Sequence, residues 1–462
     1  MPQVSEAEPH FTPAPCAQSP AMPGREIAKA LRENALLAFP PEAFEEDVIV
    51  RSFLGRQSII LNRPGAIHHI LIENPDNYRR TRATIRMLRP LLGKGLLLSE
   101  GEAWKHQRRT IAPAFAPRTI PLLARHVARA ADAAVEELAA SIAHPLDLLT
   151  AMQFLALEIA GTSMFSLGME HHRAELRDLI IGYTAHLGRP TLLDFVLPLA
   201  IPSPRDLARR RVRRRWIELI GRIIAERKEK ASEAAPHDLF DLLSTARDPE
   251  SGRLFSPKEL TDQVATMISA GHETTGLLLF WSLYLLATAP LVQERMAAEV
   301  SLLDLGPSGA GQALTGLVYT RAVVQEALRL YPPAFTIARQ ACAPDIADQI
   351  PMPAKAVVFI APWILHRHRR LWERPEIFDP TRFLPSAPPP DRFSYLPFGI
   401  GPRVCIGAQF ALTEATLVLA RMIQAFHVEY ADPDEVLPIA IVTTQPDHPP
   451  LFRLRRRVRV QP

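Results

Sequence analysis

The sequence predicts a mainly helical protein with a small β region. Three observations support this class: long segments carry apolar residues at helical spacing, aromatic residues make up only 7% of the chain, and strand-like alternation is confined to short pieces. Hydrophobic residues fill 47% and charged residues 22% of the 462 positions, which is typical of a folded globular protein and excludes a fibrous repeat. The length alone suggests about three domains at ~150 residues each, but no linker is evident after residue 25.

The predicted elements follow one another from residue 48 onwards. Two short strands are expected within 48–60, on either side of Leu54-Gly55. Helices are predicted over residues 119–140, 152–166, 209–230, 257–289, 317–330 and 408–426. The chain after Tyr331 is irregular and proline-rich, with strand-like pieces such as 356–360.

The first 24 residues carry six prolines among small polar residues, which predicts a flexible tail. They lack the basic-then-apolar plan of a secretory signal. The longest apolar run elsewhere, 277–289, is too short for a hydrocarbon core that needs about 20 residues. Cys16, Cys342 and Cys405 are too few and too far apart for a disulfide framework or a local zinc site. We therefore expect a soluble, cytoplasmic protein without a transmembrane anchor.

A basic run lies at 203–216, with seven arginines from Arg205 to Arg215. Nucleic-acid binding would need a recognisable module or interleaved aromatic residues, and the net charge is only +4. The run is therefore interpreted as a solvated helix face, and no nucleic-acid partner is expected.

The predicted helix 257–289 begins with a capping box formed by Ser256 and Glu259, and its second half is apolar all round, which indicates burial. Residues 270–275 (AGHETT) interrupt the apolar stretch. A helical glycine costs ~1 kcal/mol relative to alanine, and a buried carboxylate costs more unless it is partnered. Two interpretations are open: a functional site, or a polar patch satisfied by one internal water. A zinc motif is excluded because HExxH would need histidine at position 276, which is Gly276.

A glycine-rich loop, 398–407 (FGIGPRVCIG), stands directly before the last predicted helix. Its Cys405 lies at the mouth of that helix, where free N–H groups and the positive end of the dipole stabilise a thiolate. One thiolate in such a loop, with Arg403 two residues before it, suits an axial ligand to haem iron, and the arginine can then meet a haem propionate. A catalytic cysteine nucleophile is the alternative, although no local motif places a histidine base for it.

The pattern F-x-x-G-x-R-x-C-x-G in this loop resembles the cysteine-ligand loop of the cytochrome P-450 haem-thiolate monooxygenases. Other segments resemble motifs of that family in the same order: WKHQR at 104–108, AGHETT at 270–275, EALR at 326–329 and DPTRF at 379–383. The resemblance runs from about residue 48 to the C-terminus. It implies one mainly helical domain over 25–462, with a long central helix over the haem and a small β-sheet region, and leaves 1–24 as the tail.

The resemblance also implies roles for individual residues. Haem b would be ligated by the Cys405 thiolate, and the remaining haem-binding residues would be Trp104, Arg108, Arg339, Phe398, Arg403 and Gly407. The residues implied in oxygen activation are Ala270, Gly271, Glu273 and Thr274, the last two as an acid–alcohol pair that conducts protons. The resemblance implies that Glu326, Arg329 and Arg382 form a buried structural network. Without it, the spacing of Glu326 and Arg329 on a helix would indicate only a surface ion pair.

The family's activity implies that dioxygen is split at the haem and that one oxygen atom is inserted into an apolar small molecule, by hydroxylation or epoxidation. Flavin-binding and iron–sulfur motifs are absent from the sequence, so electrons are expected from a separate ferredoxin or flavodoxin with its NAD(P)H reductase. A monomer is expected. Two alternatives stay open: a haem-thiolate peroxygenase, from a branch of the family that lacks the acid–alcohol pair, and a non-catalytic haem sensor or carrier.

The resemblance also implies which segments of the chain face the substrate. The apolar residues in those segments are Ile85, Met87, Leu88, Leu91, Leu179, Ile181, Leu192, Phe195, Met267, Phe335 and Ile337. Such an apolar lining indicates an apolar substrate. Arg82, Arg86 or Arg89 could anchor a carboxylate, which favours a fatty acid, while a terpenoid, steroid or aromatic compound stays open.

A basic face near the thiolate is expected to steer an acidic ferredoxin. Its candidate residues are Lys105, Arg108, Arg109, Arg367, His368, Arg369 and Arg370. Two alternatives stay open: Arg108 is buried against a haem propionate, and residues 367–370 form a plain solvated loop.

Overall fold

The protein is mainly helical with several small sheets, as the sequence predicts. The computed structural model describes residues 12, 15–16, 24–53, 55–229 and 238–457. Its helices, in chain order, are α1 (Gly24–Glu33), α2 (Pro64–His68), α3 (Arg82–Leu92), α4 (Gly101–Ile111), α5 (Ile120–Ala140), α6 (Leu148–Phe165), α7 (Arg173–Gly182), α8 (Leu192–Val196), α9 (Pro204–Glu229), α10 (Leu239–Thr245), α11 (Pro257–Thr288), α12 (Pro290–Val300), α13 (Ala310–Ala313), α14 (Val318–Leu330), α15 (Pro362–Leu365) and α16 (Ala408–Ala425). All the predicted helices are present, and α6 and α9 begin about one turn earlier than predicted.

The strands are short and form small sheets. They are β1 (Val48–Phe53), β2 (Arg56–Leu61), β3 (Tyr78–Arg80), β4 (Leu146–Asp147), β5 (Ile337–Ala341), β6 (Asp345–Ala347), β7 (Ile350–Met352), β8 (Val357–Ile360), β9 (Phe426–Tyr430), β10 (Pro438–Ala440), β11 (Thr444–Pro446) and β12 (Leu451–Arg456). The largest sheet has the order β1-β2-β8-β5-β3, in which only β2 and β8 are parallel. The predicted strands within 48–60 and 356–360 are therefore neighbours in one sheet.

Helix α11 forms the centre of the fold and packs against α6, α14, α16 and α3. Ser256 Oγ accepts a hydrogen bond from the Glu259 N–H, and the Glu259 carboxylate accepts one from the Ser256 N–H, so the predicted capping box is present. Every residue from Leu277 to Leu286 is buried. This apolar half explains why the helix is fixed in the core.

Among the described helices, α6 has by itself the length and apolar composition of a membrane span. Within the fold, however, 67% of that window is buried, as is usual for a core helix. Helices α11 and α12 pass the same test only as a pair bent by 112°.

Part of the predicted flexible tail lies against the folded body. Thr12 is buried and donates from its N–H and its Oγ1 to the carbonyl of Glu376, at 2.9 and 2.7 Å. Cys16 packs against the main hydrophobic core. Hydrogen bonds and apolar contacts hold these two residues against the fold, and a flexible tail over 1–24 as a whole stays a prediction. Apart from Pro15 and Gly24, the rest of 1–24 lies outside the described residues.

Candidate functional site

A cavity of about 780 Å³ lies between the middle of α11 and the loop that precedes α16. Ala270, Gly271 and Thr274 line it from the helix, and Cys405 lines it from the loop. Ala270 and Gly271 are exposed to this space, although the helix on either side of them is largely buried. A Cβ added to Gly271 would meet no atom within 4 Å, so the glycine leaves the cavity open beside the helix.

The shape of the loop 398–407 is fixed by backbone hydrogen bonds. The Cys405 N–H donates to the carbonyl of Phe398 at 2.9 Å, and Arg108 Nη1 donates to the carbonyl of Val404 at 2.9 Å. Gly401 has a φ of +77°, and a Cβ there would clash with the carbonyl of Leu71, so this turn requires glycine. These constraints point the Cys405 side chain into the cavity.

Cys405 differs from the other cysteines in its surroundings. Neither Cys16 nor Cys342 lines the cavity. Burial raises the pKa of the Cys405 thiol, while the N–H of Gly407 and the Arg108 guanidinium act in the opposite direction. Two groups are thus placed to stabilise a thiolate at this position.

Glu273 and Thr274 are neighbours on α11 but have different partners. Thr274 Oγ1 donates to the carbonyl of Ala270 at 2.5 Å, and Thr274 lines the cavity. The Glu273 carboxylate is buried and accepts a hydrogen bond from Thr443 Oγ1 at 2.8 Å. Burial raises the pKa of Glu273 to about 6, although the Thr443 hydroxyl lowers it somewhat. Glu273 can therefore carry a proton near neutral pH.

Four charged side chains meet at one edge of the cavity. Arg80 and Arg339 are cross-strand partners of β3 and β5, and both line the cavity together with Arg403. Glu100 pairs with Arg80 at 3.0 Å and also with Arg403. Arg339 forms no ion pair within the described residues, and burial lowers its pKa to about 9. This edge therefore has an excess of buried positive charge, which suits an anionic ligand.

Two further predicted residues border the same space. The Trp104 ring lies under the Arg403 guanidinium, 4.5 Å from Cζ to the ring centroid, and lines the cavity. Gly407 precedes α16, and a Cβ there would approach only Phe115, at 4.0 Å. Of the residues that sequence reasoning assigned to the haem, all line one cavity: Trp104, Arg108, Arg339, Phe398, Arg403, Cys405 and Gly407.

Sequence reasoning missed three residues of the site: Arg80, Glu100 and Thr443. Arg80 reaches the cavity because β3 pairs with β5, and strand β3 was not predicted from its three residues. Thr443 meets Glu273 across 170 positions of sequence, and no local pattern indicates that contact.

The donor set fits a haem. The cysteine sulfur on one wall can ligate iron, and the open glycine on the opposite wall leaves room for a small molecule. The arginine without an ion pair at the edge can bind propionates. Together with the mainly helical fold, they define a haem-thiolate protein.

The chain belongs to the cytochrome P450 family, whose sequence model matches residues 43–451. It is therefore an oxidoreductase that binds haem b through a cysteine thiolate and uses dioxygen and electron-transfer partners. The cytochrome P450DA haem domain has a similar structure, with a TM-score of 0.82 at 25% identity over 97% of this chain and 98% of that one.

Among curated proteins, the chain is 36% identical to cyclooctatin synthase of Streptomyces melanosporofaciens, over 80% of this chain and 81% of the relative. It is 32% identical to cyclooctat-9-en-7-ol 5-monooxygenase of the same organism, over 72% of each. LUTEIN DEFICIENT 5, a chloroplastic protein of Arabidopsis thaliana, is 30% identical over 83% of this chain and 67% of its own length.

Glu326 and Arg329 form a fully buried ion pair at 2.7 Å, and Arg382 approaches Glu326 at 3.6 Å. Arg329 also donates to the carbonyl of His366, whose Nε2 accepts from the Leu396 N–H at 2.8 Å. Leu396 lies two residues before the start of the cysteine loop at Phe398. This chain of contacts connects the buried pair to the loop through one histidine.

Replacing Glu326 with alanine is expected to lower the free energy of unfolding by about 3–5 kcal/mol, because Arg329 would be left buried and unpaired. Denaturant unfolding of the purified protein measures this. The matched control is Glu218→Ala, which removes an exposed carboxylate 3.8 Å from Arg214 and should change little. Equal effects of the two substitutions would contradict a supporting role for the buried pair.

The predicted substrate-facing residues are partly wrong. Those that line the cavity are Met87, Leu88, Leu91, Phe195, Met267, Phe335 and Ile337. Ile85, Leu179, Ile181 and Leu192 do not line it: Leu179 is buried in the hydrophobic core and Leu192 is exposed.

The predicted carboxylate anchors also change. Arg86 is buried, pairs with Asp206 at 3.1 Å and donates to the carbonyls of Pro198 and Ile201, so it holds the fold together. Arg89 does not line the cavity. Arg82 lines it and is the anchor candidate that remains.

The predicted basic face is wrong at two residues. Arg367 is fully buried between Trp363 and Glu376, and His368 is buried as well. Arg369 pairs with Glu45, and Arg370 lies 3.5 Å from Asp47. Arg109 is bound to Asp248 at 2.9 Å, and Lys105 to Glu102 at 2.8 Å. Nearby acids thus reduce the charge that the sequence suggested.

Proposed function

We propose that this protein is a monooxygenase that hydroxylates or epoxidises a terpenoid-like apolar molecule. The observation that carries this proposal is the single cavity that combines Cys405, the Gly271 opening and the Glu273–Thr274 segment with an apolar lining. Relatives named for cyclooctatin, for an unsaturated alcohol and for lutein support a substrate of this class. A fatty acid is less well supported, because Arg86 is occupied and Arg89 lies off the cavity.

Each residue group has a distinct role in this proposal. Cys405 supplies the thiolate, and Trp104, Arg108 and Arg403 hold the loop and the haem edge. Arg339 and Arg80 neutralise propionate charge. When bound, the haem activates dioxygen reductively, and electron donation by a thiolate favours cleavage of the O–O bond. Thr274 Oγ1 holds a water or a proton at the cavity wall, and the Glu273 carboxyl, positioned by Thr443, supplies protons to it.

The electrons come from a separate ferredoxin or flavodoxin and its NAD(P)H reductase in the cytoplasm. This part of the proposal rests on the family, which uses electron-transfer partners in general. Because the basic face is largely paired with acids, its contribution to docking should be modest.

Binding of a terpenoid alcohol to the purified holoprotein is expected to shift the Soret band from the low-spin to the high-spin position. With a surrogate ferredoxin and reductase, NADPH consumption should rise and one oxygen atom from labelled dioxygen should appear in the product. Long-chain fatty acids serve as the comparison, with Arg82→Gln as the variant that removes the remaining anchor. Tighter fatty-acid binding that is lost in Arg82→Gln would contradict the terpenoid assignment.

A peroxygenase is the second candidate for the same cavity. The Glu273–Thr274 segment argues against it, because hydrogen peroxide brings its own protons and needs no relay from solvent. Turnover with peroxide that matches or exceeds turnover with NADPH and the redox partners would favour the peroxygenase.

A further inference from the structure

A histidine bridges two carboxylates on the side of the fold that supports the cysteine loop. His69 Nδ1 lies 2.9 Å from Glu73 Oε2, and its Nε2 lies 3.0 Å from Asp345 Oδ2. A neutral imidazole has only one N–H, so one of its nitrogens would turn a lone pair toward a carboxylate oxygen. The imidazolium form donates from both nitrogens. The geometry therefore fits a protonated ring at this position.

The two carboxylates belong to separate segments of the chain. Glu73 ends the helical turn His69–Glu73 that follows α2, which we call the 69–73 turn, and Asp345 opens β6. Within the described residues, the cations that pair with Glu73 are His68 and His69, and the cation that pairs with Asp345 is His69. Loss of the His69 proton would therefore leave Asp345 without a cationic partner.

The charged and titratable groups around the ring come from four elements. They are Arg63 and His68 at the two ends of α2, Glu73 of the 69–73 turn, Tyr78 of β3, and Asp345 and Asp348 of the β6–β7 hairpin. Arg63 is bound to Asp348 at 2.7 Å, and Tyr78 Oη donates to Asp345 at 2.8 Å. Burial of His69 opposes its charge, but the hydrogen bonds to the two carboxylates outweigh burial and raise the pKa of the ring above its ordinary 6.5.

The 69–73 turn packs directly on the cysteine loop. A Cβ at Gly401 would clash with the carbonyl of Leu71, so the backbones of the two segments are in contact. The turn, the hairpin and the residues before the loop also share one hydrophobic cluster, to which Ile70, Leu71, Ala347, Ile350 and Leu396 belong. A displacement of the turn would therefore remove support from the loop that carries Cys405.

We propose that the proton on His69 controls how tightly the 69–73 turn is held to the β6–β7 hairpin, and thereby how firmly the cysteine loop is held in its ligating position. The protonated ring draws Glu73 and Asp345 together. After the proton is lost, the two carboxylates face a neutral ring, and the Arg63–Asp348 pair remains as the second polar attachment. The change is thus a local loosening of the turn and not an unfolding of the protein.

The effect has a definite direction with pH. Because the pKa of His69 is raised in the folded state, its stabilisation is fully present below the ordinary value of 6.5 and is lost as the pH rises through the raised value. The pKa values of Glu73 and Asp345 are lowered, so their own titration affects the turn only in acid. Support of the cysteine loop should therefore weaken on the alkaline side.

The test follows the reduced carbon-monoxide complex of the full-length holoprotein in urea below the unfolding transition. Decay of the red-shifted Soret band measures release of the thiolate. We expect the decay rate to rise severalfold from about pH 6 to about pH 9 as His69 loses its proton. Hydrogen exchange over residues 69–77, relative to the intrinsic rate at each pH, should accelerate across the same range.

Two variants and a matched control assign the effect to this ring. His69→Gln cannot be protonated, so its decay should be fast at every pH. Asp345→Asn removes one carboxylate, which lowers the pKa of His69 and should move the rise to lower pH. The control is His427→Gln, because His427 also lies between two carboxylates, Glu294 at 3.1 Å and Glu429 at 3.8 Å, but on β9, which belongs to another sheet. It should decay as the wild type does.

Three results would overturn the proposal: a wild-type pH dependence in His69→Gln, an unmoved rise in Asp345→Asn, or an equal loss of the dependence in His427→Gln. The inference rests on the thiolate ligation of the family and not on the proposed substrate or reaction. Because the measurement needs no substrate, dioxygen or redox partner, its failure is distinguishable from a failure of the proposed function.

Discussion

Serine in place of Cys405 is expected to abolish the red-shifted Soret band that a thiolate-ligated haem gives when it is reduced and bound to carbon monoxide. Cys405 is the cysteine that lines the cavity among the described residues, and a serine hydroxyl does not ionise near neutral pH to replace its thiolate. Difference spectra of reduced protein with and without carbon monoxide measure the loss, which should be complete.

Cys342→Ser is the matched control for this substitution. Cys342 is exposed and away from the cavity, so its spectrum should equal that of the wild type. Haem content, measured separately as the pyridine complex, distinguishes a changed ligand from a protein that has lost its haem. A Cys405→Ser protein that retains the band would refute the ligand assignment.

Long helices were predictable because their apolar residues repeat at the helical period over many turns. The central helix α11 also carries a capping box, which fixes its start at the residue that the sequence indicates. Strands other than β1, β2 and β8 were not predicted at their positions. They are short, and their stability comes from pairing with distant strands, as in β3 with β5, so little local signal exists in the sequence.

The site was predictable where a motif is continuous in sequence. The cysteine loop and the AGHETT segment are of this kind. Pairings across the fold were not predictable, and three cases show why. The Glu273 carboxylate accepts a hydrogen bond from Thr443 and not from Thr274. Arg403 forms an ion pair with Glu100, and Arg86 forms one with Asp206. In each case a side chain found a partner that only the tertiary structure brings close.

Glu273→Gln is expected to slow NADPH oxidation in the presence of substrate, because the amide cannot release and regain a proton. The raised pKa of Glu273, about 6, predicts that the wild-type rate falls as the pH rises from below this value to above it, since the carboxyl loses its proton. The Gln variant should lose that dependence. Because the buried acid favours its protonated form, the stability of the folded wild type should fall as the pH rises from the ordinary carboxyl value of 4.5 to about 6 and then stay constant, and the Gln variant should not show this fall.

Thr443→Val provides a matched test of the same carboxyl. It removes the hydroxyl that donates to Glu273 at 2.8 Å while it keeps the shape of the side chain. Loss of that hydrogen bond disfavours the charged carboxylate, so the pH at which the rate falls should move upward. An unchanged pH profile in both variants would show that Glu273 only fills space in α11.

Thr274→Ala is expected to separate oxygen consumption from product formation. Productive turnover converts substrate, dioxygen, NADPH and a proton into hydroxylated product, water and NADP⁺, so protons must reach the oxygen that leaves as water. Thr274 lines the cavity one turn along α11 from Gly271, and removing its hydroxyl takes away a group that can hold a water or a proton there. Dioxygen and NADPH should then still be consumed, but mainly to give hydrogen peroxide and NADP⁺. Thr274→Ser, which keeps the hydroxyl, should restore most of the product. The peroxide released per NADPH oxidised measures the effect, and tight coupling in a folded, haem-loaded Thr274→Ala protein would disprove the role of this hydroxyl.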